Sequence, residues 1–160
     1  MKVINIKDKW ESGEPYEYFM GRWSRLVARR FIDWLSPSPG LKWLDVGCGS
    51  GALSEAIVNN CQPSGLTAID QSEGFIKITR KRLGNRVRCR TGNALALPLK
   101  DSSMNFTVSG LVLNFIPEPQ KALIEMKRVT THGGIVAVYI WDYPGKMDFL
   151  NHFWDAAIEL

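Results

Sequence analysis

Few residues of the kind that build disulfide or metal sites occur in this sequence. Its 160 residues include three cysteines and two histidines, and Cys48, Cys61 and Cys89 lack the spacing of metal ligands. A small, odd cysteine count indicates reduced intracellular thiols. No apolar run is long enough to cross a bilayer, and the first residues lack the apolar stretch of a secretory signal. These absences predict a cytoplasmic protein without a membrane span or a metal site.

Two catalytic signatures are missing as well. The chain has no Ser/His/Asp set for nucleophilic catalysis and no lysine in a phosphate-binding glycine loop. His132 precedes the last predicted strand, so it would lie at the N-terminal edge of a parallel sheet, opposite the side where ligands bind. We therefore expect His132 to be structural.

The net charge of +4 is concentrated in two basic clusters, at 22–30 and at 77–90. Such clusters can bind nucleic acid. However, no aromatic residue interleaves with the second cluster, as single-strand binding favours. A solvated helix face followed by a charged edge strand explains it better, so we expect no nucleic-acid partner.

The most informative stretch is 41–53, in which an apolar run ends at three alternating glycines. Gly47, Gly49 and Gly51 are followed by apolar residues at helical spacing. Glycine allows the left-handed backbone of a tight turn, and the first amides of a helix point outward. Strand, turn and helix in this order predict a nucleotide-cofactor loop at the C-terminal end of a parallel strand.

Asp45, directly before this loop, bears on which nucleotide binds. Gly47, Gly49 and Ala52 also satisfy the dinucleotide pattern G-x-G-x-x-[GA], so an NAD(P)-dependent oxidoreductase stays an alternative. A carboxylate beside the loop would repel a pyrophosphate and attract an ammonium group. S-adenosylmethionine, which has an amino-acid tail and no phosphate, therefore fits better.

Four motifs follow one another along the chain: D-V-G-C-G-S-G at 45–51, I-D-Q-S at 69–72, G-N-A-L-A-L-P at 92–98, and the segment 111–114. In this order they resemble the motifs of class I S-adenosylmethionine-dependent methyltransferases, of the small-molecule type that includes the ubiquinone and menaquinone C-methyltransferases. The resemblance runs from about Tyr16 to Tyr143. It implies methyl transfer to a small-molecule acceptor, with S-adenosylhomocysteine as the product.

The resemblance also implies a set of cofactor contacts. Asp70, some twenty residues past the loop, is placed to accept hydrogen bonds from the ribose hydroxyls. Asn93 stands where the family usually has an aspartate that accepts from the adenine amino group, and its uncharged oxygen would bind more weakly. The backbones of Ala94 and Leu111 would meet the base and the methionine portion. The full set is Asp45, Gly47, Cys48, Gly49, Gly51, Asp70, Gln71, Asn93, Ala94 and Leu111, with Arg22 and Tyr16 from the N-terminal helices.

Three members of this set have a structural alternative. Asp70 could cap the following helix, although Ser72 can fill that role. Arg22 is either a bidentate partner of the methionine carboxylate or a surface arginine. Cys48 is better explained as a small filler than as a nucleophile.

The order of elements predicts one α/β domain with a Rossmann-like, doubly wound parallel sheet and a three-layer sandwich. We expect five strands in the order 3-2-1-4-5 and a single domain over 16–160, behind a loose leader at 1–15. Within it lie a helical cap at 16–36, a core at 41–143 and a terminal helix at 147–160. After the first strand we expect strands at Gly65–Asp70, Val87–Thr91, Asn105–Val112 and Ile135–Trp141, and helices to Asn60, over Glu73–Leu83 and over Gln120–Val129, with a helix stop at Thr131–Gly134.

The resembling fold continues into a C-terminal β-hairpin, and we expect this chain to end before it. We expect the outer edge of the fifth strand, at 135–140, to be covered by the final helix, a second copy or a partner chain, because a bare hydrophobic edge carries unpaired amides. Part of the acceptor pocket would be absent too, so a catalytically incomplete cofactor-binding subunit stays an alternative. Methyl transfer needs alignment rather than a covalent nucleophile, and Asp142 is the one candidate general base.

Overall fold

A computed structural model describes residues 21–142 and 148–158 of the chain. The predictions for the leader, for Tyr16, for Tyr143 and for the two ends of the terminal helix lie outside the described residues. The helices are α1 (Arg22–Leu35), α2 (Ala52–Asn60), α3 (Glu73–Leu83), α4 (Pro119–Val129) and α5 (Asp148–Ile158), and the strands are β1 (Lys42–Val46), β2 (Gly65–Asp70), β3 (Arg88–Thr91), β4 (Met104–Gly110) and β5 (Thr130–Tyr139). Within these residues, none of the helices combines the length and the apolarity that crossing a membrane requires.

All five strands form one parallel sheet in the order β3-β2-β1-β4-β5. This confirms the predicted Rossmann-like sheet and places the charged β3 at an edge. Since β1 pairs with both β2 and β4, the strand order reverses at β1. In open α/β sheets, ligands bind in the crevice at the C-terminal ends of the strands where the order reverses.

Alternate residues of the strands face two separate hydrophobic clusters, because successive side chains of a strand point to opposite faces. Trp43 belongs to the cluster formed with α1, α2 and α3, and its ring stacks on Phe106 with centroids 4.3 Å apart. Leu44 and Val46 belong to the other, where Met126 and Val129 of α4 lie. Helices therefore cover both faces, which confirms the three-layer sandwich.

Two strands, β4 and β5, differ from their predicted bounds by more than one residue. β5 begins at Thr130 and ends at Tyr139, so the predicted helix stop at Thr131–Gly134 lies inside the strand. Gly133 has φ +76°, and the pairing register shifts between Met104 and Phe106 opposite this stretch, so the glycines form an irregularity in the strand rather than a helix end. β4 ends at Gly110 because Leu111 has the left-handed φ of +60°.

The position of His132 and the place of β5 at the outer edge of the sheet agree with what the sequence predicts. His132 is exposed near the start of β5, at the opposite end of the sheet from the strands' C-terminal ends. β5 is the outer strand of the sheet, and Ile135, Val136 and Ile140 on or just beyond it are exposed. The covering of this edge by the final helix or another chain stays a prediction.

Candidate cofactor site

The glycine loop between β1 and α2 needs glycine for both conformation and space. Gly47, Gly49 and Gly51 have φ of +73°, +52° and +89°, a region that residues with a Cβ rarely adopt. A Cβ on Gly47 would lie 2.5 Å from Cγ1 of Val112, whereas one on Gly49 would meet no atom within 4 Å. The loop is therefore packed beneath the exit of β4 and open at its middle, as a ligand-binding turn requires.

Hydrogen bonds from β2 and α3 fix the path of this loop. The amides of Gly47 and Cys48 donate to the carbonyl of Ile69 at 2.7 and 3.0 Å. The peptide groups of Gly49 are held on both sides: its N–H donates to Oδ2 of Asp70 at 2.9 Å, and its carbonyl accepts from the buried hydroxyl of Thr79 at 2.8 Å. The loop is thus preorganised by side chains from two other elements.

Asp45 is a buried carboxylate with one oxygen unpaired. The residue is 1% exposed, Oδ2 accepts from the hydroxyl of Ser54 at 2.6 Å, and Oδ1 has no hydrogen-bond partner. Burial, together with the charge of Asp70, raises the pKa of Asp45 to about 7 even though the Ser54 bonds oppose this. An orphaned buried polar atom is uncommon in folded proteins and calls for a partner, so Asp45 is suited to bind a cation.

Asp70 ends β2 and faces the same loop. Its Oδ1 accepts from the amide of Ser72 and its Oδ2 from that of Gly49, both at 2.9 Å, and a carboxylate can accept more bonds than these two. Ser72 caps α3 by accepting from the amide of Phe75 at 3.3 Å, so the N-cap role belongs to Ser72. Burial raises the pKa of Asp70, and its amide bonds to Ser72, Gly49 and Gln71 oppose this.

Two carboxylates therefore converge on the loop. Each anion repels a further anion in the same partly buried space, and the effect is stronger than in water. A diphosphate at the loop would be repelled by both carboxylates, whereas an ammonium group would be attracted by both and would stabilise their ionised forms. This electrostatic arrangement favours a cationic ligand.

The segment after β3 is drawn next to Asp70. The amide of Gly92 donates to the carbonyl of Asp70 at 2.9 Å. Oδ1 of Asn93 accepts from the amide of Leu95 at 2.9 Å, so this oxygen stabilises its own turn and keeps one lone pair for another donor. Ala94 and Leu95 are half-buried beside it.

At the exit of β4, Leu111 lies in a strained backbone conformation. Its φ of +60° is uncommon for a residue with a Cβ and is often found at binding sites. The side chain is buried, and its amide donates to the carbonyl of Tyr139 at 2.8 Å. A Cβ on Gly110 would clash with the Tyr139 hydroxyl, so the Tyr139 ring lies against the backbone of β4 just before Leu111.

The remaining predicted residues differ in how far their side chains are buried. Arg22 is exposed, and its guanidinium carbon lies 4.9 Å from the centre of the Trp23 ring. Gln71 and Asp142 are exposed, Asp142 beyond the end of β5. Cys48 is buried in the loop, and burial together with the charges of Asp45, Asp70 and Cys89 raises its pKa, which keeps the thiol protonated and supports the filler interpretation.

Sequence reasoning missed two buried hydroxyls, Ser54 and Thr79. Both lie on the inward faces of helices α2 and α3, where a polar residue among apolar ones is the signal that points to a specific partner. Their partners, Asp45 and Gly49, are 9 and 30 residues away, so the contacts themselves emerge only in the folded chain.

A cavity of about 350 Å³ lies elsewhere, at the N-terminal ends of the strands. Lys42, Gly65, Arg88 and Met104 contribute to its lining. It shares none of the loop residues and is open to solvent at the end of the sheet where ligands of this architecture do not bind.

Comparison with known proteins agrees with this geometry. A family model described as "Methyltransferase domain" matches residues 44–138, which is more than half of the chain. Demethylmenaquinone methyltransferase of Renibacterium salmoninarum is 36% identical over 125 residues, covering 77% of this chain and 49% of that protein. The enzyme of the same name from Geobacillus stearothermophilus is 33% identical over 133 residues, covering 80% of this chain and 55% of that protein. The chain spans about half the length of these relatives.

Among solved structures, the chain is similar to one in the complex between the Haloferax volcanii Trm112 methyltransferase activator and its methyltransferase. The TM-score is 0.77 at 17% identity, over 87% of this chain and 63% of that one, a likeness that shows the fold alone. The family model and the relatives show more. The chain belongs to the S-adenosylmethionine-dependent methyltransferase family, of the type that includes the menaquinone and ubiquinone C-methyltransferases, as its motifs predicted.

Proposed function

We propose that the chain binds S-adenosylmethionine at the C-terminal ends of β1, β2 and β4 and takes part in methyl transfer to a small-molecule acceptor. The observation that carries the proposal is the unpaired Oδ1 of buried Asp45 beside the glycine loop. An ammonium group there would pair with the orphaned oxygen and favour its ionised form. The cofactor of this family has such a group.

The remaining polar groups support the same ligand. Asp70 keeps acceptor capacity for a ribose hydroxyl, and Asn93 keeps one lone pair for the adenine amino group. The open middle of the loop at Gly49 would admit the nucleoside close to bare backbone. Arg22 and Tyr16 are proposed partners of the methionine carboxylate from the N-terminal side.

When bound, the cofactor supplies a methyl group on a positively charged sulfur. The chain's own residues then have three tasks: the carboxylates hold the tail and the ribose, the glycine loop leaves room for the ligand beside its backbone, and the β4 exit at Leu111 borders the methionine portion. Alignment of two reactants contributes about 7–11 kcal/mol to lowering a barrier, so no covalent nucleophile is required. Asp142 is the proposed base for acceptors that must lose a proton.

An apolar acceptor is the class that the surface supports best. Phe115 and Ile140, which follow β4 and β5, are 59% and 53% exposed, and the adjacent Trp141 is half-buried. Apolar groups beside a site favour acceptors that bury apolar surface. The relatives are named for demethylmenaquinone, so a demethylated quinol is the first acceptor that we would test.

Calorimetric titration with S-adenosylhomocysteine and with NADH tests the proposal. We expect S-adenosylhomocysteine to bind and NADH not to bind, and we expect Asp45→Asn to weaken the binding while Asp33→Asn, at an exposed carboxylate on α1, leaves it unchanged. Binding of NADH alone would contradict the proposal and support an oxidoreductase. Transfer of a labelled methyl group to a panel of quinols then tests the activity separately from cofactor binding.

A further inference from the structure

The crossover between β3 and β4, residues 92–103, contains no helix. A connection between parallel strands usually includes one, and a long connection without regular structure is typical of binding loops. The front of this crossover is tied to Asp70 through the amide of Gly92 and carries the proposed adenine contacts, Asn93 and Ala94. Its back half lies against α4.

Arg128 and Glu125, one turn apart on α4, hold the back half of the crossover; we call this pair the α4 clamp. The guanidinium of Arg128 donates to the carbonyls of Leu97 and Leu99 at 3.0 and 2.9 Å, to Asp101 at 2.6 Å, and to both oxygens of Glu125 at 2.6 and 2.7 Å. These five bonds use all five N–H groups that an arginine has. Oε2 of Glu125 also accepts from the amide of Leu97 at 2.8 Å.

The α4 clamp forms hydrogen bonds with backbone groups of the crossover, which distinguishes it from an ordinary surface ion pair between two side chains. The side chains of Arg128 and Glu125 are 30% and 17% exposed, and the hydrogen bonds from Arg128 lower the pKa of Glu125. Leu97 is held at both its amide and its carbonyl, while its side chain is buried in the cluster with Met126 and Val129. Exposed ion pairs by themselves contribute little to stability, so the specific effect of this network is to fix the path of the loop.

Leu97, which the α4 clamp holds, lies four residues after Asn93, and a hydrogen-bonded turn connects these two residues. The carbonyl of Asn93 accepts from the amide of Ala96 at 3.1 Å, and its side chain accepts from the amide of Leu95. A displacement of Leu97 would therefore move Asn93 and Ala94 relative to Asp70. Binding groups that are misplaced by about 1 Å lose much of their effect.

We propose that Arg128 and Glu125 are positioning residues for the adenine subsite: by clamping the crossover to α4 they set where Asn93 and Ala94 meet the base. This inference rests on the proposed function. It makes recognition of the base, rather than of the ribose or the methionine tail, depend on a pair of side chains that do not touch the cofactor.

The test compares Arg128→Gln with Arg82→Gln as a matched control. Arg82 forms an ion pair with Glu55 at 3.0 Å with similar exposures of 25% and 28%, but it links α3 to α2 rather than the crossover. Calorimetry would measure S-adenosylhomocysteine and S-inosylhomocysteine, in which a carbonyl replaces the adenine amino group. We expect the wild type and Arg82→Gln to prefer the adenine compound by about tenfold, and Arg128→Gln to lose most of that preference.

Two further variants and one further readout keep the test decisive. Arg128→Lys keeps the charge but loses the fork, so its preference should be intermediate, and Glu125→Gln offers a milder change if Arg128→Gln does not fold. Hydrogen exchange of the amides at 95–97 should be faster in Arg128→Gln than in Arg82→Gln, without cofactor. If Arg128→Gln changed neither the preference for the adenine compound nor the exchange of these amides, this inference would be wrong while the proposed function would still stand. A wild type that binds neither compound would overturn the proposed function and this inference with it.

Discussion

Replacement of Asp45 by asparagine should change how the stability of the protein depends on pH. The carboxyl is buried, with a pKa raised from 3.8 to about 7. Between pH 3.8 and about 7 the folded protein keeps a proton on Asp45 that the unfolded chain releases. This difference in proton binding stabilises the folded state fully below about pH 4, and the stabilisation is lost as the pH rises to about 7. At about 1.4 kcal/mol per pKa unit, this amounts to about 4 kcal/mol.

Asparagine has nearly the same shape and does not titrate, so Asp45→Asn lacks this loss. The variant's amide also brings a donor that needs a partner, but that cost is independent of pH. Relative to the variant, the wild type should therefore lose about 3 kcal/mol of unfolding free energy between pH 4.5 and pH 7.5, because part of the total effect falls below pH 4.5. Urea unfolding at several pH values measures this difference, and Asp33→Asn is the control for an exposed carboxylate.

The result that would refute this reasoning is a difference between wild type and Asp45→Asn that stays constant across the range. Cofactor binding should move in the opposite direction. Above pH 7 the wild type presents an ionised Asp45 to the ammonium group. Asp45→Asn removes this charge, so it should weaken the binding of S-adenosylhomocysteine by about 1.5–3 kcal/mol, or about ten- to hundredfold. The site would thus bind its ligand at the expense of the stability of the free protein.

Three other changes test the rest of the site. Asp70→Ala should weaken S-adenosylhomocysteine by about 1–3 kcal/mol through its lost hydrogen bonds; unchanged affinity in calorimetry would count against the ribose contact. Thr79→Val, which removes the bond to Gly49, should lower the unfolding free energy by about 1–3 kcal/mol and weaken binding, while Thr79→Ser should behave as the wild type. Gly47→Ala should cost about 1–3 kcal/mol in backbone strain besides its clash with Val112, so equal melting temperatures would disprove the packing argument.

The sheet could be predicted from the sequence because each of its elements has its own local signal. β2 and α3 have the expected boundaries, since a glycine or capping serine starts each and an acid or glycine ends it. β5 could not be bounded in this way. The glycines of β5 resemble a helix stop in the sequence. In the structure, however, a Cβ on Gly134 would lie 2.6 Å from the carbonyl oxygen of Asn105, so Gly134 is needed where β5 comes close to β4. Local sequence does not reveal this contact.

The candidate site divides along the same line. The loop glycines, Asp45 and Asp70 belong to continuous motifs, so their types and spacing predict their proximity. Thr79 and Arg128 bind partners 30 and 31 residues away, and the neighbouring sequence does not reveal which residues these partners are. The contact of Arg22 with the methionine carboxylate stays a prediction, since the side chain is exposed beside Trp23.

A crystal structure with S-adenosylhomocysteine bound tests the central claim most directly, because it locates the amino-acid tail relative to the unpaired carboxylate oxygen. We predict the ammonium group beside Oδ1 of Asp45, directly or through one water, with the ribose on Asp70. A tail directed away from Asp45, or a dinucleotide whose phosphates lie on the amides of Gly47–Gly51, would contradict it.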